Sequence, residues 1–433
     1  MRILHLAHAA HSAAQNAKKM SGSAALGVVA TCVVGAVVVC QDMGVEVPKP
    51  ALYAALVGMI TWILSGIFLG EGKGASGTMP TGCVPVELTH DEKKDFLIVF
   101  DALTKELQTE IEKYELPART SAYMKRMMEY NVPKGKLTRG LTVISALKSI
   151  KTKDKPLSDY DYRRAATLGW CVEWLQAMFL VMDDIMDESE TRRGQICWYL
   201  QPDVKMNAIN DGLLLEAHIY VILKKYFGDE PELYVHLLEL LHETTHQTAL
   251  GQFLDLTTSE PDKVDFSRFS MGVYTDIVVY KTAWYSFYLP CALGMRLAGV
   301  SDPTLYQQAK DICRAMGTMF QVQDDYLDCY GDPETIGKIG TDIRDNKCSW
   351  LINKALAICT PQQRKTLEDN YAKKDPKAEA VVKGVFRELD LEAKFKEYEE
   401  ATNAELVKMI GDVKGMPTAI FSKLLSRIYK RQK

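Results

Sequence analysis

Beyond residue 85 the chain is cut by prolines: Pro202, Pro231, Pro261 and Pro290, then Pro303, Pro333 and Pro361, stand roughly 30 residues apart, room for one long helix per interval. Within the intervals Leu, Ala, Met, Glu, Lys and Gln dominate, glycine is sparse, and no alternating strand is bounded by Asn-Gly or Asp-Gly turns. The pattern predicts an all-α bundle of about ten core helices. Helix starts are marked locally: Thr360-Pro361-Gln362-Gln363 sets a capping threonine, a first-turn proline and a capping-box glutamine in order, and Asp302-Pro303 is a similar opening. No repeat runs along the chain, which excludes a solenoid. With 47% hydrophobic and 25% charged residues there is material for a large core.

Inside apolar helical stretches the pattern DDxxD occurs twice, as Asp183, Asp184 and Asp187 and again as Asp324, Asp325 and Asp328. At about 100° per residue each trio falls within one sector of its helix, at roughly 0°, 100° and 40°. Adjacent acids repel one another, and a solvated face would carry more lysine and glutamate around them; their apolar setting predicts a concavity at the ends of core helices. Oxygen-only ligands suit Mg²⁺, whose remaining positions are filled by water and by the phosphates of a ligand. Cations for such a ligand stand nearby: Arg192 and Arg193 after the first trio, Lys338, Arg344 and Lys347 after the second, and Lys134, Lys136 and Arg139 upstream.

The net charge of −4 and the lack of a long basic block argue against a nucleic-acid partner. The ten cysteines form no CxxC pair and read as reduced thiols of an intracellular protein. Residues 1–41 carry Arg2, Lys18 and Lys19 and no acid. Two uncharged runs follow, Ala24 to Cys40 and Ala51 to Gly70, separated by a polar turn with Pro48 and Pro50. The second has the roughly 20 residues that cross a bilayer and the first is near the short limit. The expected organisation is a basic segment (1–23), a transmembrane hairpin (24–70), a linker (71–89) and a catalytic domain (90–433). Lys18 and Lys19 before the first span place the main domain on the cytosolic side, for instance of the endoplasmic reticulum. A plastid or mitochondrial presequence is the competing reading.

From about residue 90 onward the chain resembles trans-prenyltransferases, specifically the eukaryotic farnesyl diphosphate synthases. The resemblance is carried by the stretch around both trios, by GWCVEWLQA (169–177), INDGLLLEA (209–217), GQFLDL (251–256), YKTAWYSFYLP (280–290), GKIGTDIRDNKCSWL (337–351) and the terminal IYKRQK. It implies the isoprenoid synthase bundle around a central cavity, and condensation of dimethylallyl or geranyl diphosphate with isopentenyl diphosphate, with three Mg²⁺ ions and a homodimer. By the same resemblance Asp183, Asp184, Asp187, Asp255, Asp324, Asp325 and Asp328 match the metal carboxylates. Arg192, Lys281 and Lys338 match the allylic diphosphate side, and Lys347 is a further substrate-binding candidate. Lys136, Arg139, Gln176, Arg193 and the basic tail match the isopentenyl diphosphate side. The carbonyl of Lys281, the hydroxyl of Thr282 and the amide of Gln321 would face the allylic cation.

Met178 and Phe179, one turn before Asp183, would form the floor of the product tunnel. The chain departs from its relatives at several places: Met178 stands where a second aromatic is usual, Met182 replaces a small residue, Lys134 and Thr138 replace a glycine and an asparagine, and Gln432 replaces a basic residue. A softer floor lengthens the tunnel, and Met182 shortens it. The expected product is C15, with C10 next and C20 third. A terpene synthase on the same fold would need neither Lys136 and Arg139 nor a complete second trio, and a non-catalytic scaffold would need neither trio.

Overall fold

The computed structural model describes residues 82–260, 263–332, 335 and 340–431. The expected hairpin at 24–70, the basic segment before it, Lys338 and Gln432 lie outside the described residues. The compact unit holding the described residues begins at Pro80. Val84, expected in a linker, is instead fully buried, and Arg163 donates to the carbonyl of Val86 at 2.8 Å, so this strand of backbone is part of the folded body.

Helices α1 (Glu92–Glu112), α2 (Ala118–Asn131) and α3 (Thr138–Thr152) lead into α4 (Asp159–Met186), the central helix. Ser158 caps α4 by accepting the N–H of Asp161, and Asp159 and Asp161 complement the positive end of its dipole. From Arg163 to Met178 every residue is buried, the signature of a helix packed on all sides. Among the described residues α4 is the one helix long and apolar enough to cross a membrane, and its burial makes it a core helix instead. Gly140 and Gly169 let α3 and α4 cross in close contact, since a Cβ on Gly169 would sit 2.6 Å from the carbonyl oxygen of Gly140. Phe96 stacks on Trp170 at 4.3 Å between centroids, and the indole N–H of Trp170 donates to the Phe96 carbonyl at 2.7 Å.

Next come α5 (Ala208–Phe227), which packs along α4, and α6 (Pro231–Thr258). Helix α7 (Met271–Val278) runs through a π-helical stretch, Val279–Tyr288, into α8 (Leu289–Leu297). The stretch is wedged between two glycines: a Cβ on Gly251 of α6 would lie 2.1 Å from the Lys281 nitrogen, and one on Gly317 would lie 2.3 Å from the Ala283 Cβ. Helix α9 (Pro303–Tyr330) carries the second trio, and α10 (Trp350–Ile358), α11 (Pro361–Asn370), α12 (Pro376–Glu388), α13 (Leu391–Gly411) and α14 (Ala419–Ile428) complete the bundle. Both predicted starts form. Thr360 and Gln363 make the reciprocal capping box of α11, and Asp302 accepts the N–H of Thr304 at 2.8 Å on α9.

One element escaped the all-α reading. Thr191–Arg192 and Gln195–Ile196 pair as a short antiparallel hairpin, closed by Arg193 (φ 55°) and Gly194 (φ 74°). Two consecutive positive φ values are what a tight I′ hairpin turn demands.

Candidate active site

Both trios sit at helix ends, as expected: Asp183 and Asp184 in the last turn of α4 with Asp187 as its C-cap, and Asp324, Asp325 and Asp328 in the last two turns of α9. All of these acids except Asp184 line one cavity of about 1030 Å³. Around the first trio each outward carboxylate meets a cation. Lys281 Nζ lies 3.3 Å from Asp183 and 2.7 Å from Asp255, and Lys347 Nζ lies 2.9 Å from Asp187 and 3.3 Å from Asp255. Gln252 adds an N–H to Asp183 at 3.2 Å. Asp255 thus bridges the two lysines, and although burial raises its carboxyl, Lys281 and Lys347 outweigh that and hold it well below the usual range. Burial likewise opposes ionisation of Asp183, but Lys281, Arg192 and Lys347 leave it lowered, whereas burial and the Asp183 charge raise Asp187.

The middle aspartates have partners of another kind. Asp184 lies off the main cavity wall and takes Arg192 at 2.8 Å from Nε and 2.5 Å from Nη2. Asp325, also buried, accepts the backbone N–H of Trp350 at 2.8 Å and the amide of Gln321 at 3.0 Å. Burial pushes its carboxyl up to about 7 against the pull of these donors and of Tyr274. The middle residue of DDxxD is turned by about 100° from the first; Asp184 is off the cavity wall, whereas Asp325 lines the cavity together with Asp324 and Asp328. Asp324 pairs with Arg431 of the C-terminal tail at 3.0 Å, and Asp328 receives the N–H of Asp342 at 3.0 Å. Arg431 also lies over the Phe320 ring, 3.8 Å from its centroid.

The hairpin explains why two adjacent arginines serve different places. Arg192 reaches Asp184 and, at 3.3 Å, Asp183; Arg193 donates to Gln176 at 3.0 Å and to the Asn131 carbonyl at 3.3 Å. Arg139 of α3 binds Ser286 at 2.8 Å and Tyr285 at 3.2 Å in the π-helical stretch, and Lys136 lines the same end of the cavity. Behind them Glu173 is buried and accepts the Gly140 N–H at 2.7 Å, its carboxyl raised by burial although Arg139 and Arg193 pull the other way. Thr282 and Gln321 both line the cavity, and the Thr282 hydroxyl donates to Gln321 Oε1 at 3.0 Å.

Of the two floor residues, Phe179 lines the cavity, with its ring 5.6 Å from that of Tyr285. Met178 does not; it is 7% exposed and packs in the core cluster around α4, turned away from the cavity by the same helical rotation. Met182 is on the cavity wall. Lys134 lines a separate, small pocket behind Arg192 and Arg193. Sequence reasoning missed Gln252, Tyr274, Tyr285, Ser286 and Glu173. Gln252, Tyr285, Ser286 and Glu173 all lie within quoted motifs, which could have marked them; Tyr274 lies in none.

Among the described residues no three acids converge tightly enough to chelate an ion alone. Hard oxygen donors with intervening cations still fit Mg²⁺, which is commonly held by one or two carboxylates and completed by water and phosphate.

Comparison with known proteins agrees with this geometry. The polyprenyl synthetase family model matches residues 121–389. The farnesyl pyrophosphate synthase of Candida albicans is 48% identical over 346 residues, covering 79% of this chain and 98% of its own length. That of Dictyostelium discoideum is 48% identical over 354 residues, covering 80% and 92%. Among solved structures, T. brucei farnesyl diphosphate synthase complexed with risedronate superimposes with a TM-score of 0.73 at 34% identity, covering 79% of this chain and all of its own. The chain belongs to the polyprenyl synthetase family.

Proposed function

We propose that this chain condenses dimethylallyl diphosphate, and then geranyl diphosphate, with isopentenyl diphosphate to form farnesyl diphosphate and pyrophosphate. The observation that carries this reading is the presence of two separate basic clusters on one cavity. Arg192, Lys281 and Lys347 stand among the first-trio carboxylates, while Lys136, Arg139 and Arg193 gather at another end. Two diphosphates need two such clusters; a terpene synthase, which ionises a single diphosphate, needs one.

Asp183 and Asp187, with Asp324 across the cavity, would hold three Mg²⁺ ions, and Asp255 fixes the lysines between them. Mg²⁺ held there would withdraw electron density from the allylic diphosphate and ease the loss of that group. Arg192, Lys281 and Lys347 add fixed positive charge where the leaving group becomes negative. The C–O bond breaks, and the allylic carbon is left beside the Thr282 hydroxyl, the Gln321 carbonyl oxygen and the Lys281 carbonyl, whose negative dipole ends suit a cation. The isopentenyl double bond, held by Lys136, Arg139 and Arg193, then attacks that carbon, and the proton lost in forming the new double bond passes to the departed diphosphate. The apolar wall around Phe179 excludes water. No side-chain nucleophile is required.

A homodimer fits the apolar surface left on α5 and α6, where Leu213 is 59% and Phe253 63% exposed alongside Leu250 and Leu256. The uncharged runs at 24–40 and 51–70 anchor the protein to a membrane with the catalytic body on the cytosolic side. Carbonate extraction that releases the full-length protein would contradict the anchor.

The test of the activity is product analysis with Mg²⁺, isopentenyl diphosphate and either allylic substrate. A C15 diphosphate from both is expected. C10 alone, or hydrocarbons formed from geranyl diphosphate without isopentenyl diphosphate, would overturn the reading.

A further inference from the structure

The hairpin over 191–196 sends two adjacent arginines to two places, Arg192 to Asp183 and Asp184, and Arg193 to Gln176. A ribbon with two residues in each strand has too few hydrogen bonds of its own to keep that arrangement. Arg192 is fixed further by its two carboxylates. The hydrogen bonds of Arg193, which stands in the turn itself, go to neutral acceptors, the Gln176 side chain and the Asn131 carbonyl.

What braces the ribbon from outside is the end of α2. The last carbonyls of a helix have no partner within it and form a negative end that draws donors and cations. Helix α2 ends at Asn131, and its final two carbonyls each take a group from the hairpin: Tyr130 accepts Gln195 Nε2 at 3.1 Å, and Asn131 accepts Arg193 Nη1 at 3.3 Å. The Tyr130 side chain makes the contact in the other direction. Its hydroxyl donates to the Ile196 carbonyl at 2.6 Å and accepts from Gln201 Nε2 at 3.0 Å, and its ring lies 5.0 Å from that of Trp198. With its proton and a lone pair both engaged, the hydroxyl has one orientation. The gap left between α2 and the hairpin is about 20 Å³, space for about one water.

We infer that Tyr130 is a positioning residue for the isopentenyl diphosphate end of the site: its hydroxyl pins the second strand of the hairpin to α2 and thereby holds Arg193 on the cavity wall with Lys136 and Arg139. Tyr130 does not line that cavity, so it acts through the hairpin and not on a substrate. Without the hydroxyl, the Ile196 carbonyl and the Gln201 amide lose their partner, the strand leans away from α2, and Arg193 at the turn moves with it. Arg192 moves less, because Asp183 and Asp184 hold its guanidinium. The consequence is one-sided: isopentenyl diphosphate binds more weakly, the allylic diphosphate nearly as before, and the chemical step is unaltered once both are bound. Ile196 is 55% exposed, so water reaches its freed carbonyl and the fold tolerates the change.

This inference rests on the chain-elongation reading, and the experiment separates the two. Full-length protein and its variants are assayed with Mg²⁺, varying isopentenyl diphosphate at saturating geranyl diphosphate and then the reverse. Absence of condensation by the unaltered protein would sink the elongation reading itself. If it condenses the two, Tyr130→Phe is expected to raise KM for isopentenyl diphosphate about tenfold, the scale of one hydrogen bond, with KM for geranyl diphosphate and kcat each within about threefold. A role in stability alone would lower the melting temperature and kcat and leave both KM values unmoved. In an Arg193→Ala background, adding Tyr130→Phe is expected to raise the isopentenyl diphosphate KM by less than about twofold, because residues that act through one another are not additive. Gln195→Leu, which removes another bond between the hairpin and α2, is expected to move the same KM in the same direction. An unchanged isopentenyl diphosphate KM in Gln195→Leu overturns the inference, whether or not Tyr130→Phe folds. So does a Tyr130→Phe protein that folds and keeps that KM, or one whose full effect persists in the Arg193→Ala background.

Discussion

At the end of α4 the middle carboxylate, Asp184, is held by the guanidinium of Arg192; at the end of α9 its counterpart, Asp325, is held by neutral donors, the Trp350 N–H and the Gln321 amide. The outward acids differ as well. Asp183 and Asp187 meet lysines that stand on the cavity wall, whereas Asp324 meets an arginine from the C-terminal tail and Asp328 meets backbone N–H groups. One sequence pattern therefore yields two kinds of site. The first trio is embedded in compensating charge, which fits it to share a diphosphate with Lys281, Lys347 and Arg192. In the second, Arg431 reaches Asp324 while Asp325 accepts neutral hydrogen bonds that join α9 to the start of α10.

If that contrast is right, the largest loss comes from the first trio. Asp183→Ala removes an outward carboxylate and leaves Lys281 without one partner, and turnover is expected to fall roughly 10³-fold, several kcal/mol of transition-state stabilisation. Steady-state kinetics at saturating Mg²⁺ and substrates checks this, and near-normal turnover would break the comparison at its strongest point.

The second trio should reveal itself in stability. The Asp325 carboxyl stands at about 7 in the folded protein against 3.8 as its ordinary value, so between those pH values the folded state holds a proton that the unfolded chain has released. The contribution is fully present below about pH 4 and is lost as pH rises to about 7, at most about 4 kcal/mol. Chemical denaturation in EDTA across that window should show stability falling with pH, and Asp325→Asn, which mimics the protonated form, should flatten that dependence. An unchanged slope in the variant would mean that Asp325 is ionised despite its burial.

Arg192→Ala is expected to cost about 10²-fold in turnover, the scale for removing one donor aimed at developing charge. Because Arg192 also neutralises the buried Asp184, its loss should lower the melting temperature too. A variant that lost activity with no change in melting temperature would separate the two roles assigned to this side chain.

Helix starts and the placement of both trios were legible in the sequence because they are local: Thr360 and Gln363 cap one helix by themselves, and each DDxxD pattern lies within about one turn. The orientation of Asp184 and Asp325 was not, because a rotation of about 100° is read only against the neighbours on each side. The same holds for Met178, one residue from Phe179 and yet in the core. The π-helical stretch was hidden for another reason. Its residues have no distinctive composition, and the contacts that wedge it come from Gly251 and Gly317 on two other helices. The hairpin that parts Arg192 from Arg193 had a visible glycine but no flanking strand pattern, since each strand has only two residues.

The most direct test of the account lies within one trio, in neighbouring residues on the cavity wall that differ in their partners, Arg431 for Asp324 and the Trp350 N–H and Gln321 amide for Asp325. Asp324→Asn and Asp325→Asn should be compared for turnover and for melting temperature under the same conditions. The account predicts that Asp324→Asn loses turnover at least about 10²-fold with little change in melting temperature, while Asp325→Asn keeps turnover within about tenfold. Equal losses of turnover in both variants, or the larger loss in Asp325→Asn, would contradict the division between an acid that serves the chemistry and one whose hydrogen bonds tie α9 to α10.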